Sequence, residues 1–210
     1  MKTSFVLNVL LAIALVLLLV KNLFFSKEIT PTANLDTTSV VMENILTRTS
    51  IRSYQNTPVE DEKVETMLRA AMAAPSAGNK QPWTFVVIKD RALLDSIANQ
   101  YRTIRMAKNA PIAIVVCGDM TKTFPEDGFD YWVEDTSAAT ENLLLAAHSM
   151  GLGAVWCGVY PIKERVAFIK NLLALPENIV PLNVIPIGYP AEEPTPKDKW
   201  KPENVRYDTW

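Results

Sequence analysis

Histidine and cysteine are scarce in this sequence of 210 residues. It contains one histidine, His148, and two cysteines, Cys117 and Cys157. Two cysteines cannot build a disulfide framework, and with a single histidine they cannot form a four-ligand zinc site. Both cysteines lie in apolar runs, which predicts buried thiols, and we interpret His148 as a packing or surface residue. With no Ser/His/Asp constellation and no metal-ligand cluster, an enzyme of this sequence would rely on a cofactor.

An excess of basic charge is also lacking. The chain has 21 Lys and Arg residues against 23 Asp and Glu, and the formal net charge is -2. Binding along a nucleic-acid backbone needs clustered basic charge, so we expect no nucleic-acid partner. The hydrophobic fraction of 49% with 21% charged residues excludes a disordered or collagen-like chain. The length allows one domain of ordinary size.

The N-terminus carries a long apolar run. Residues 5–20 are apolar except for Asn8, and Lys2 and Lys21 flank them. This pattern predicts an uncleaved single-pass membrane anchor over residues 1–27, with a cleaved signal peptide as the alternative. Residues 28–38 are interpreted as a linker and 39–210 as the folded domain. We therefore expect a membrane-associated protein, with the side of the membrane left open.

The remaining sequence alternates helical and strand patterns. Apolar spacing and breaker residues predict helices over 40–46, from Pro58 (capped by Thr57) to before Pro75, and over 91–105, 131–150 and 162–173. Strands are predicted over 83–88, 112–117, 154–159 and 180–187, the last broken by Pro181 and Pro186. This mixed order favours an α+β sandwich over a strict βαβ repeat.

Three polar clusters indicate an anionic, planar ligand. Arg48-Thr49-Ser50-Ile51-Arg52 is a compact set of donors suited to a phosphate or an oxyanion. In 75–83, small residues between two prolines predict a rigid loop whose backbone can approach a flat ligand, although an ordinary helix-to-strand turn is the alternative. In 151–158, two glycines are typical of a helix cap and turn, whereas Gly158 could offer a backbone amide to a ligand.

The sequence resembles the nitroreductase family of FMN-dependent oxidoreductases. The resemblance runs from about Val41 to the C-terminus and depends on four motifs in the family's order: R-x-S-I-R, P-S-x-x-N-x-Q-P-W-x-F, E-N-L-L-L-A-A-x-x-x-G-L-G-A-V-W and I-G-Y-P. It implies an α-β-α sandwich with a mixed or antiparallel central sheet. It also implies an intertwined homodimer with FMN in each interface groove.

The resemblance also implies a set of cofactor-binding residues. It puts Arg48 and Ser50 on the FMN phosphate, and Lys199 as the last phosphate contact, where many members have arginine. It puts Arg52 beside the N1/O2 edge of the isoalloxazine ring. Pro75, Ser76 and Asn79 would line the ring, and Gly158 would offer an amide near O4 and N5. No catalytic side chain is implied, because the chemistry occurs at FMN N5 and Arg52 tunes the flavin.

The reaction implied is a ping-pong transfer of two electrons from NAD(P)H to a nitroaromatic, quinone or similar small-molecule acceptor. One alternative is a membrane-anchored reductive dehalogenase of halotyrosines. Such members carry an inserted substrate lid, for which only 101–109 is available here. Another alternative is a flavin-binding protein without turnover.

Overall fold

The computed structural model describes residues 37–210. The predicted anchor, residues 1–27, and residues 28–36 of the predicted linker lie outside the described residues. Within 37–210, no helix has the length and apolar character needed to cross a membrane. We therefore correct the predictions of a transmembrane helix and of membrane association: the described residues contain no helix that supports them, and neither is proposed again.

Five helices and five strands form the described fold. The helices are α1 (Thr37–Thr47), α2 (Asp61–Met72), α3 (Arg91–Gln100), α4 (Tyr131–Ser149) and α5 (Lys163–Leu172). The strands are β1 (Trp83–Ile88), β2 (Ile112–Asp119), β3 (Gly153–Ala154), β4 (Cys157–Gly158) and β5 (Ile179–Gly188). Short 3-10 turns lie between them, among them Ala77–Asn79 and Arg102–Lys108. The chain divides after Val40, and the unit Val41–Trp210 contains the sheet and α2 to α5.

The strands form one sheet in the order β1-β2-β5-β3, and β4 also pairs with β5. Every strand pairing in it is antiparallel. An isolated parallel bridge joins Ser50 to Ala154, which brings the segment after α1 to the edge formed by β3. The predicted mixed or antiparallel sheet is thus antiparallel throughout its named strands.

The sheet is covered by helices on both faces. Along β2, alternate side chains point to opposite faces, as a pleated strand requires. Ile112, Ile114 and Val116 pack with α2 and α4, whereas Ala113, Val115 and Cys117 pack with α3 and α5. Both cysteines are buried, as predicted, and burial raises the pKa of each thiol to about 12.

The last strand, β5, is continuous, so the predicted breaks at Pro181 and Pro186 are absent. Val116 pairs with Asn183 and Cys117 with Pro181, so Leu182 is an extra residue on β5 and forms a β-bulge. A bulge tolerates a proline, which cannot donate to a regular ladder. The predicted strand 154–159 is instead divided into β3 and β4, and both pair with β5.

Two predicted helix boundaries are also wrong. Helix α2 begins at Asp61, not at Pro58, and Thr57 does not cap it. The side chain of Glu60 instead accepts a hydrogen bond of 2.8 Å from the hydroxyl of Tyr189, which holds the chain before α2 against the end of β5. Helix α3 ends at Gln100, and the residues up to Lys108 form a 3-10 helix.

Candidate functional site

The segment after α1 is fixed by backbone pairing with β3. The N–H of Ile51 donates to the carbonyl of Ala154 at 3.0 Å, and the Ile51 side chain is buried. A Cβ at Gly153 would lie 2.6 Å from the Ile51 side chain, so this close approach requires glycine. Because neighbouring residues of an extended segment point in opposite directions, Arg48, Ser50 and Arg52 are directed away from the core.

These three residues line one cavity of about 530 Å³ together with the C-terminal tail. Its lining residues are Arg48, Thr49, Ser50, Arg52, Glu192, Pro194, Thr195, Lys197 and Lys199. Four of them are cations and one is an acid, so the cavity favours an anion. The structure therefore brings together the predicted phosphate ligands Arg48, Ser50 and Lys199, and it adds Arg52 and Lys197 to them.

Arg48 is held in place by a residue of α4. Its Nε lies 3.3 Å from a carboxylate oxygen of Glu141, and only 17% of the Arg48 side chain is exposed. The ion pair with Glu141 involves the Nε atom of the Arg48 guanidinium. The two terminal nitrogens of Arg48 have the spacing that binds two phosphate oxygens.

The tail is attached to the segment after α1 through Glu192, which the sequence analysis missed. One carboxylate oxygen of Glu192 accepts from the backbone N–H groups of Arg52, at 2.5 Å, and Ser53, at 3.1 Å. The N–H of Ala191 also donates to the carbonyl of Ser53. The sequence Lys197-Asp198-Lys199 indicates that the tail carries positive charge. No sequence pattern indicates that Glu192 accepts hydrogen bonds from two backbone amides far away in the chain.

His148 lies in the last turn of α4, partly buried against the end of α1. Its Nε2 is 2.9 Å from the hydroxyl of Thr47. Burial, and then the charge of Arg48, lowers the pKa of His148. These contacts agree with a packing role. Within the described residues, no group of three or more His, Cys, Asp or Glu side chains is placed to hold a metal ion.

The loop from Ser76 to Gln81 is hydrogen-bonded within itself and includes three residues with positive φ. Gly78, Asn79 and Gln81 have positive φ values of 53°, 54° and 48°. The N–H of Gln81 donates to the Ser76 hydroxyl at 3.0 Å, and the Gln81 side-chain amide donates to Asn79 at 2.8 Å. The loop holds Pro75, Ser76 and Asn79 close to one another.

These predicted ring-lining residues are not part of the cavity around Arg48. None of Pro75, Ser76 and Asn79 is among its lining residues, and Gly158 is not among them either. The cavity of Arg48 and the predicted ring-lining residues therefore have no lining residue in common.

Gly158 has open space where a side chain would lie. Its carbonyl accepts from the Arg165 guanidinium at 2.9 Å, whereas the next N–H, of Val159, donates to Leu182 of β5. Because alternate residues of an antiparallel strand face the partner strand, the N–H of Gly158 points away from β5. Apart from its chain neighbours, no atom lies within 4 Å of a Cβ built at Gly158.

These observations fit FMN. The cationic cavity suits its phosphate, and the open space and outward amide at Gly158 suit a flat ring with a polar edge. Ser50 adds a neutral donor to the cations.

Comparison with known proteins identifies the family. The sequence profile of the nitroreductase family matches residues 45–105 and 100–189. A protein of Methanothermobacter thermautotrophicus, named as a candidate NADH dehydrogenase/NAD(P)H nitroreductase, is 43% identical over 194 residues, which cover 90% of this chain and all of that protein. A candidate nitroreductase from Desulfovibrio desulfuricans, crystallised in complex with FMN, is 32% identical with a TM-score of 0.71, covering 81% of this chain and 97% of that one. An iodotyrosine deiodinase of Haliscomenobacter hydrossis is 30% identical over 69% of this chain and 77% of that protein.

The chain belongs to the nitroreductase family. This confirms the predicted family and the predicted α+β fold class. At the level of the family, it also confirms the predicted enzyme class, an NAD(P)H-dependent FMN oxidoreductase, with FMN as cofactor and NAD(P)H as donor.

Proposed function

We propose that this chain reduces nitroaromatic, quinone or similar small acceptors by a ping-pong mechanism, with NAD(P)H as the donor. The observation that supports this most is the single cavity that joins Arg48, Ser50 and Arg52 to the lysines of the tail. Four cations around one opening are suited to a dianionic phosphate, and the family supplies FMN as the molecule that carries it.

Arg48, Ser50 and Lys199 would hold the phosphate. Arg48 is the best prepared of the three, because Glu141 fixes its side chain from behind. Lys199 stands where many family members have arginine. A lysine keeps the positive charge but lacks the planar fork, so it binds the phosphate as a point charge.

Arg52 and Gly158 would act on the ring. When bound, FMN supplies hydride chemistry at its N5 atom. A guanidinium at the N1/O2 edge stabilises negative charge there, which is the role we propose for Arg52. The outward N–H of Gly158 would donate to the opposite edge, near O4 and N5. Ser76 and Asn79 would line the ring.

A second copy of the chain would complete this site. No residue of the loop with Ser76 and Asn79 lines the cavity of Arg48, and we propose that FMN contacts both where two subunits meet. Large apolar side chains are also exposed on α1 and on the tail, namely Val41, Met42, Ile45, Leu46, Trp200, Tyr207 and Trp210. Trp200 is 70% exposed and Trp210 is 100% exposed. We propose that these surfaces are buried in a homodimer.

A reductive dehalogenase is the second candidate function, and the deiodinase relative favours it. The structure provides an observation against it. Between α3 and β2 the chain forms only the 3-10 helix Arg102–Lys108 and a short connection, so no substrate lid is inserted at this position. A flavin-binding protein without turnover is the remaining alternative.

Three measurements on the purified protein test this proposal. We expect a yellow protein that releases FMN on denaturation, and a colourless protein that does not bind added FMN contradicts the proposal. Steady-state oxidation of NADH or NADPH with menadione separates an enzyme from a binding protein, and parallel double-reciprocal plots support the ping-pong mechanism. Turnover of iodotyrosine, with little reduction of menadione or a nitroaromatic, would favour the dehalogenase instead.

A further inference from the structure

Asp135 on α4 is a buried acid that the proposed function does not use. The residue is only 6% exposed. Burial raises the pKa of Asp135, and the hydrogen bond from the N–H of Ala77 partly offsets this shift. Burying a carboxylate costs free energy of folding unless the carboxylate is hydrogen-bonded. The partner of Asp135 therefore indicates what the residue does in this fold.

That bond goes to the loop that carries Ser76 and Asn79. A carboxylate oxygen of Asp135 accepts from the N–H of Ala77 at 2.8 Å, across 58 positions of sequence. Ala77 begins the 3-10 turn Ala77–Asn79. Asp135 therefore ties the start of this turn to the long helix that crosses the sheet.

The loop contains one unfavourable backbone conformation. Gln81 has a φ of 48°, which is uncommon for residues other than glycine and asparagine. Asn79 also has a positive φ, which asparagine adopts more readily. The other bonds described for the loop, such as those between Ser76 and Gln81 and between Gln81 and Asn79, lie within it. They stabilise its shape. The loop also contacts Phe124, because Nζ of Lys80 lies 5.0 Å from the centroid of that ring, and Phe124 makes an edge contact with Tyr131 of α4. The bond from Ala77 to Asp135 adds a direct hydrogen bond between the loop and α4.

We propose that Asp135 is a positioning residue that holds the loop from Ser76 to Gln81 in its ligand-binding conformation. This inference builds on the proposed function, since it assigns the loop to FMN. Asp135 does not itself touch the cofactor. It acts through the backbone of Ala77, and so sets where Ser76 and Asn79 present their polar groups.

The test compares Asp135→Ala and Asp135→Asn with the unaltered full-length chain. Amide hydrogen exchange of residues 76–81 is measured in the protein without FMN, and the dissociation constant of FMN is measured by titration. We expect Asp135→Ala to accelerate exchange in the loop at least tenfold and to weaken FMN binding about tenfold, the size of a lost hydrogen bond to a charged group. Asp135→Asn keeps an acceptor oxygen and should give an intermediate result; it also serves if Asp135→Ala does not fold.

Two control variants separate positioning from general destabilisation. Glu134→Gln removes the adjacent, exposed charge of α4 and should leave both measurements unchanged. Ile169→Val trims a buried side chain on the opposite face of the sheet; it should lower the melting temperature without changing exchange in the loop. The visible spectrum at saturating FMN gives another readout, because it changes with the surroundings of the ring and not with global stability.

The outcomes are distinguishable. If the unaltered protein binds no FMN, the proposed function fails, and exchange in the loop still decides whether Asp135 positions it. If the unaltered protein binds FMN and Asp135→Ala keeps the same affinity and the same exchange, the inference is wrong. Equal acceleration of exchange in the loop and along the whole of α4 would also overturn it, because Asp135 would then stabilise the fold in general.

Discussion

The Nε atom of Arg48 lies 3.3 Å from the carboxylate of Glu141, and this pair joins the end of α1 to α4. The Arg48 side chain is 17% exposed and that of Glu141 is 51% exposed. A long, flexible cation is thereby held at the wall of the cavity before any ligand binds. Such preorganisation reduces the entropy that is lost on binding.

Glu141→Gln should therefore weaken FMN binding. Partly exposed ion pairs contribute about 0.2–1 kcal/mol, so we expect a loss of about 1.4- to fivefold in affinity. Titration of the FMN-free protein with FMN at low ionic strength measures this change in affinity. Glu134→Gln, on the same helix, should bind FMN normally. If Glu141→Gln binds FMN more tightly than the unaltered chain, Glu141 competes with the phosphate for Arg48 instead of positioning it.

Arg52→Gln and Arg48→Gln should have different effects. We expect Arg52→Gln to lower the two-electron potential of bound FMN by about 30–65 mV, because a lost charge-assisted hydrogen bond costs about 1.5–3 kcal/mol and would fall mainly on the reduced form. Arg48→Gln should instead release cofactor with little change in potential. Spectroelectrochemistry and FMN titration of both variants measure these effects. An unchanged potential in Arg52→Gln would show that Arg52 does not lie at the ring edge.

Trp200→Ser should weaken the proposed homodimer. Trp200 is 70% exposed, so its loss should leave the fold of one chain intact. A buried tryptophan at the centre of an interface contributes about 2 kcal/mol or more, and we expect the dimer dissociation constant to rise about thirtyfold. Sedimentation at several protein concentrations measures it.

Lys199→Gln is the matched control for the tail. It should lower FMN affinity without changing the sedimentation profile, because Lys199 lines the cavity. Removal of residues 191–210 should lower both dimer stability and FMN affinity. A truncated protein with the original sedimentation profile and a normal FMN content would show that the tail has neither role.

The buried thiols predict a loss of stability in alkali. The pKa of Cys117 and of Cys157 is about 12 in the folded protein, against an ordinary value of 9.0. Between these values the unfolded chain loses protons that the folded chain keeps, so the free energy of unfolding falls as pH rises. The fall is about 1.4 kcal/mol per pH unit for each thiol at most. Below about pH 9 both states are protonated, and this contribution to stability is fully present.

Urea unfolding at pH 8.5, 9.5 and 10 measures this slope. Cys117→Ala should make it shallower, because one titrating group is removed. Val115→Ala, on the same face of β2, should lower the free energy of unfolding at every pH without changing the slope. Above about pH 10, Tyr54 adds to the slope, because burial also raises its pKa. An equal slope with and without Cys117 would contradict the prediction.

Much of the local structure could be predicted from the sequence. Helix α4 has an apolar face and ends before Gly151, which adopts a positive φ of 74°. Strands β1 and β2 are apolar runs between turn residues. These patterns depend on residues close together in the sequence, so the elements can be predicted without knowledge of the fold. Residue type alone marked Arg48 and Arg52 as candidate ligands, whereas Lys199 was predicted only through the family resemblance and Lys197 was not predicted.

Boundaries that depend on distant partners were not predictable. Helix α2 begins at Asp61, and the side chain of Glu60 just before it accepts a hydrogen bond from Tyr189, which lies 129 positions away. β5 continues through Pro181 because β2 accepts a bulge at Val116 and Cys117. In both cases the observed boundary coincides with a long-range contact that no local pattern reveals.

The sequence by itself determined the secondary-structure types, the buried thiols and the inventory of cations that suit a phosphate. Only the tertiary structure decided that Arg48, Arg52 and Lys199 line one cavity, that Glu192 holds the tail there from 140 positions away, and that Asp135 anchors the loop of Ser76. The physical reason is that local propensity depends on neighbours within a few residues. A binding site depends on which distant segments are brought together when the core is buried, and no single segment encodes that pairing.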